Sequence, residues 1–131
     1  MCLMKLENMS EFNFKSSPCT SIEQSERLLA LGLKEETADC CWTIDERDNI
    51  VIRLIDEAVE YIEPAWSLGR LIKLMPRTIV MHFPTGEVLD TPIERFIYAQ
   101  GILTSDDSIA EAVSIIEWLI KEGYFNKEYL V

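Results

Sequence analysis

The segment SDDSIAEAVSIIEWLIKEGY, residues 105–124, limits the fold more than any other part of the chain. Ile109, Ala112, Val113, Ile116, Leu119 and Ile120 recur at helical spacing and make one apolar stripe. Ser108 with Glu111 reads as a capping box. Acidic residues sit before and within the first turn, where the helix dipole favours them, and Gly123 is a natural stop. A long C-terminal helix follows, and its stripe needs an apolar surface to lie against. At 131 residues and 48% hydrophobic composition, the chain has the size and the material for one core.

The other elements are shorter. Thr20 with Glu23, or Ser21 with Gln24, caps a helix over 21–31 that carries Ile22, Leu28, Leu29 and Leu31 and ends at Gly32. KEETAD reads as one further helical turn. CCWTI and NIVIRLI are β-branched and aromatic runs flanking the polar DERDN, which predicts a hairpin. In PAWSLGRLIKLMP, Pro64 suits a helical first turn. Leu68, Leu71, Ile72 and Met75 share a face, and Pro76 stops the element at Met75. Trp66 reads as a core anchor. RTIVMHF predicts a strand and PTGE the turn after it. Over DTPIERFIYAQ, Thr91 with Glu94 and Pro92 at the first position favour a helix across 91–100, although ERFIYA is also strand-like in composition.

Twelve basic and 23 acidic residues leave a formal charge of −11. That charge argues against direct nucleic-acid binding through phosphates, which needs clustered Lys and Arg, and against anionic membrane surfaces. No apolar run is long enough for a transmembrane helix, and the N-terminus lacks the pattern of a signal peptide, so the expected location is the cytoplasm. The four cysteines, Cys2, Cys19, Cys40 and Cys41, are then reduced, and none has C-x-x-C spacing. Cys40 and Cys41 would face opposite sides of a strand, one of them as a small buried hydrophobe.

Little in the chain carries chemistry. The single histidine, His82, sits in an apolar strand pattern and reads as structural; a catalytic role would need a nucleophile and an orienting carboxylate beside it. No phosphate-cradling loop, dinucleotide fingerprint, zinc-protease motif or nucleophile elbow is present, and no cofactor is expected. One asymmetry stands out. Residues 64–86 hold Arg70, Lys73 and Arg77 without a single Asp or Glu, so this segment is +3 and the rest of the chain −14. Arg70 and Lys73 are neighbours on the polar side of the proline-bracketed helix. Either they meet acidic groups of the same fold, or they bind an anion, a protein partner or the acidic patch of a second copy in a symmetric dimer.

Three fragments, TSIEQSERLLALGLKEETAD, PAWSLGRLIKLMP and DSIAEAVSIIEWLIKEGY, occur in this order and together resemble a family of small uncharacterised proteins. That family is encoded by gut Bacteroides-type bacteria, often in phage or other mobile-element regions. The resemblance spans residues 20–125. It implies a capped helix, a strand pair, the Pro-Ala-Trp-Ser-Leu helix, more strands and a C-terminal helix. It also implies strand, not helix, before that last element. It supplies a mobile-element setting but no activity, cofactor or catalytic residue.

The reading as a whole is an α+β fold: a small antiparallel sheet packed by a few short amphipathic helices, with a long C-terminal helix. Residues 1–18 are expected to be a flexible leader, tacked down by Phe12 and Phe14, and 19–131 a single domain. The expected function is that of a non-catalytic cytosolic interaction protein from a phage or mobile element. It would bind a protein partner through Arg70, Lys73 and Arg77. The alternatives are an acidic DNA mimic that inhibits a nucleic-acid-binding host protein, and an enzyme using His82.

Overall fold

The computed structural model describes residues 18–56, 60–99 and 107–131. The expected leader lies outside the described residues except for Pro18. The fold is α+β, with helices packed beside two small antiparallel sheets.

Helix α1 spans Ile22–Ala30. Ser21 caps it, accepting from the Gln24 amide at 3.1 Å while the Gln24 side chain accepts from the Ser21 amide at 2.9 Å. The two orphan donors are thus satisfied reciprocally. Gly32 takes φ +98°, the left-handed value that ends a helix without a side-chain penalty. KEETAD supplies a 3-10 turn over Glu35–Thr37.

Strands β1 (Cys40–Ile44) and β2 (Ile50–Leu54) form the expected hairpin, with Trp42 opposite Ile52. One oxygen of Asp45 ties the turn, accepting from the Arg47 and Asn49 amides at 2.9 Å each. A third strand, β3 (Glu63–Ala65), pairs with the other side of β1, giving the order β2-β1-β3. Pro64 therefore lies in a strand opposite Cys41, not in a helical first turn. Pairing with β1 extends the chain through Ala65, and the helix starts only after Ser67.

Helix α2 spans Leu68–Leu74, and Ser67 caps it through the Arg70 amide at 3.2 Å. It ends as the proline demands: Met75 is extended at ψ 146° ahead of Pro76. Strands β4 (Thr78–His82) and β5 (Val88–Pro92) make a separate two-stranded ribbon. Thr91 pairs with Ile79 and Pro92 with Thr78, so neither starts a helix. Helix α3 follows over Ile93–Ala99. The helix expected across 91–100 is present over Ile93–Ala99, so ERFIYA is helical despite its strand-like composition, but pairing with β4 claims Thr91 and Pro92, the residues expected to start it. Helix α4, Ser108–Lys121, is capped by Asp107, whose side chain accepts from the Ala110 amide at 3.0 Å, and not by the Ser108–Glu111 box. A last 3-10 turn covers Lys127–Tyr129.

The main core joins Leu28, Leu33, Trp66, Leu71, Leu74, Met75, Ile79, Ile93, Ile97, the inner face of α4 and Phe125. Of the expected α4 stripe, Ile120 is only partly buried and Ile115 is buried in addition. Each such side chain contributes about 1.5–3 kcal/mol when fully buried. A second, smaller cluster gathers Cys19, Cys40 and Ala65 under Trp42 and Ile52. Both Cys40 and Cys41 are buried, one on each face of β1, since β1 is the middle strand.

Candidate functional site

The basic face of α2 is positioned by a chain of hydrogen bonds. Asp39, just before β1, accepts from the Ser67 amide at 2.9 Å and from its hydroxyl at 2.5 Å. The start of the sheet thereby holds the first turn of α2, and with it the azimuth of Arg70 and Lys73. Facing them is the segment Lys34–Thr37. The Lys34 amide donates to the Tyr129 carbonyl at 2.8 Å, and an isolated bridge pairs Leu33 with Leu130. The Thr37 hydroxyl donates to the Lys34 carbonyl at 2.6 Å and accepts from the Trp66 indole at 3.0 Å. Trp66, fully buried, thus anchors the core as expected and also fixes the wall of a surface cleft.

That cleft, of about 400 Å³, is lined by Lys34, Glu36, Thr37, Arg70, Lys73, Leu74, Glu128 and Tyr129. Two of the three residues singled out in the sequence, Arg70 and Lys73, come together in it. Arg77 does not: it lies exposed between α2 and β4, and its carbonyl accepts from the Ile93 amide at 2.8 Å. Lys34 takes the third basic place. Nothing in KEETAD signals this, because the contact depends on the C-terminal segment folding back over residues 130–131 onto Gly32 and Leu33. Among the described residues, Arg70, Lys73, Arg77 and Lys34 make no ion pair within 4.0 Å; the pair formed is Arg27 with Glu117, between α1 and α4. Glu36 and Glu128 line the cleft without closing on its cations.

His82 is exposed at the end of β4, opposite Val88, and not an interior histidine. The ribbon leaves the core along its length: Ile79 is buried, while Val80 and residues 82–83 are not. Cys40 and Cys41 belong to the other sheet. Burial, with Cys40 and Asp39 close by, pushes the Cys19 thiol up to about 12. Burial and then Asp39 push Cys40 up to about 11, and burial raises Cys41 despite Arg53 nearby. Thiols held in this state are neutral and poor nucleophiles. Among the described residues, no group of three or more His, Cys, Asp or Glu side chains is arranged to hold a metal ion, and no helix is long and apolar enough to cross a membrane. No family model, curated protein or solved structure matches the chain.

Proposed function

We propose that this chain is a non-catalytic interaction protein of phage or mobile-element origin that seats an acidic segment of a protein partner on the α2 face. One observation carries the reading: Lys34, Arg70 and Lys73 converge on a cleft, free of ion pairs among the described residues, in a chain of net charge −11. Cations with no ion pair among the described residues, on so acidic a surface, provide a local preference for acidic partners. The exposed position of His82 and the neutral, buried thiols support a non-catalytic role. The three cysteines among the described residues, Cys19, Cys40 and Cys41, are buried and free, which fits the reducing cytoplasm. The mobile-element origin rests on the resemblance of the three helix motifs.

The test is a tagged pull-down from the native host at low and high salt, with the partner identified by mass spectrometry. The combined variant Lys34→Glu, Arg70→Glu and Lys73→Glu is expected to lose the partner. Arg77→Glu is expected to keep it. High salt is expected to weaken capture. A partner retained by the triple variant would remove the cleft from the reading. No partner under any condition would sink the interaction role itself.

A further inference from the structure

Strand β2 exposes apolar side chains along its outer edge. Among the described residues its only strand neighbour is β1. The Ile55 amide bonds to the Asp39 carbonyl and the Asp45 amide to the Asn49 carbonyl, so the odd-numbered residues 49–55 exchange hydrogen bonds with β1. In an antiparallel ladder the alternate residues then point their amides and carbonyls the other way. The backbone groups of Ile50, Ile52 and Leu54 therefore face outward along an edge that no other described strand covers. Their side chains share one face with Cys40, Trp42 and Ile44, by the pairing register. Leu54 is 74% exposed, Ile50 56% and Ile44 53%. Edge strands usually carry a charge, a proline or a bulge on such a face; this one carries none.

The opposite face of β2 gives the edge its charge. Val51 and Arg53 point there, and Arg53 is exposed and makes no ion pair within 4.0 Å among the described residues. Arg53 and Arg47 also line a cleft of about 460 Å³ with Ile44, Asp45, Glu46 and Asn49, in which Asp45 is engaged by the amides of its own turn. A strand laid beside β2 would set alternate residues against Ile50, Ile52 and Leu54, and the residues between against Val51 and Arg53.

We propose that the outer edge of β2 binds an extended segment of another protein as an added strand, with apolar and acidic residues in alternation. The backbone groups of Ile50, Ile52 and Leu54 supply the ladder, their side chains the apolar contact, and Arg53 the preference for acid over base. This surface is separate from the α2 cleft and does not depend on it.

The probe is a short fluorescent peptide alternating valine and glutamate, compared with its valine–lysine counterpart, with binding read by anisotropy on the full chain. Saturable binding of the glutamate peptide is expected, with the lysine peptide weaker. Leu54→Pro removes one outward amide without touching the β1 ladder, and is expected to weaken binding by about tenfold or more. Should that variant fail to fold, Ile50→Thr with Leu54→Thr keeps strand propensity while removing the apolar contact, and is expected to weaken binding likewise. Arg53→Glu is expected to reverse the preference between the two peptides. The triple variant of the α2 cleft is expected to bind the probe as the wild type does, which separates failure here from failure there. Absent binding, equal binding of both peptides, or binding indifferent to the Leu54 variants would overturn the proposal. So would concentration-dependent dimerisation abolished by Leu54→Pro with no peptide bound, which would make a second copy the occupant.

Discussion

Helix α4 and the β4–β5 ribbon are both rich in apolar residues, yet they bury them to very different extents. Helix α4 places Ile109, Ala112, Val113, Ile115, Ile116 and Leu119 in the core. The ribbon commits Ile79, at 1% exposure, and leaves Val80, Phe83, Val88 and Leu89 exposed, from 37% at Val80 to 58% at Val88. A helix collects its apolar residues on one side and buries them together against a single surface. A ribbon divides them between two faces, and a two-stranded ribbon is marginal without cover. Stability should therefore be concentrated in the helical core and at the base of the ribbon, leaving the tip nearly indifferent to substitution.

Four measurements would break or sharpen this contrast. Leu119→Ala, in the fully buried stripe, is expected to cost about 2–5 kcal/mol in urea unfolding. Next comes Thr20, which seams the small sheet to the helices. Its side chain meets the Ser25 hydroxyl at 2.8 Å and accepts from the Trp66 amide at 3.0 Å, and its carbonyl accepts from the Trp42 indole at 2.9 Å. Thr20→Ala orphans two buried polar groups and is expected to cost about 1–3 kcal/mol.

A smaller effect of opposite sign is expected at Glu63 in β3, where burial first, then Glu26 and Glu35, raise the carboxyl above its usual range. A raised carboxyl binds its proton more tightly in the folded state. The destabilising effect is thus fully present above the folded pKa and vanishes as pH falls below the unfolded one. Glu63→Gln should stabilise the protein at neutral pH, and the gain should shrink on acidification; a gain that grew toward acid would contradict this assignment. Smallest of all, Leu89→Ala at the ribbon tip is expected to change stability by about 0.5 kcal/mol or less. A cost comparable to Leu119→Ala would mean that the ribbon is covered and that the contrast is wrong.

The ends of the elements were legible wherever a local rule decides them. Ser21 with Gln24 caps α1, Gly32 ends it, and Pro76 stops α2 by restricting Met75. Most of the α4 stripe followed from periodicity, whereas Trp66 was expected as a core anchor from its residue type, and only the structure showed it fully buried. Three of the errors share one cause. Pro64, Thr91 and Pro92 carry helix-start chemistry, and all three were claimed by strand partners distant in sequence, β1 for the first and β4 for the others. Asp107 outcompeted Ser108 as a cap for a simpler reason: either residue type can cap, and the choice depends on where the chain turns.

For the candidate site, sequence alone determined that Arg70 and Lys73 lie one helical turn apart and that residues 64–86 hold no acid. Spacing along one helix and net charge are local and additive, so both survive folding unchanged. Only the tertiary structure decided that Lys34 joins them while Arg77 does not, that His82 is exposed, and that β2 lies at the edge of its sheet among the described residues. Each of these depends on which distant segment packs against which. That choice is made by burial over the whole chain, and no short window of residues contains it.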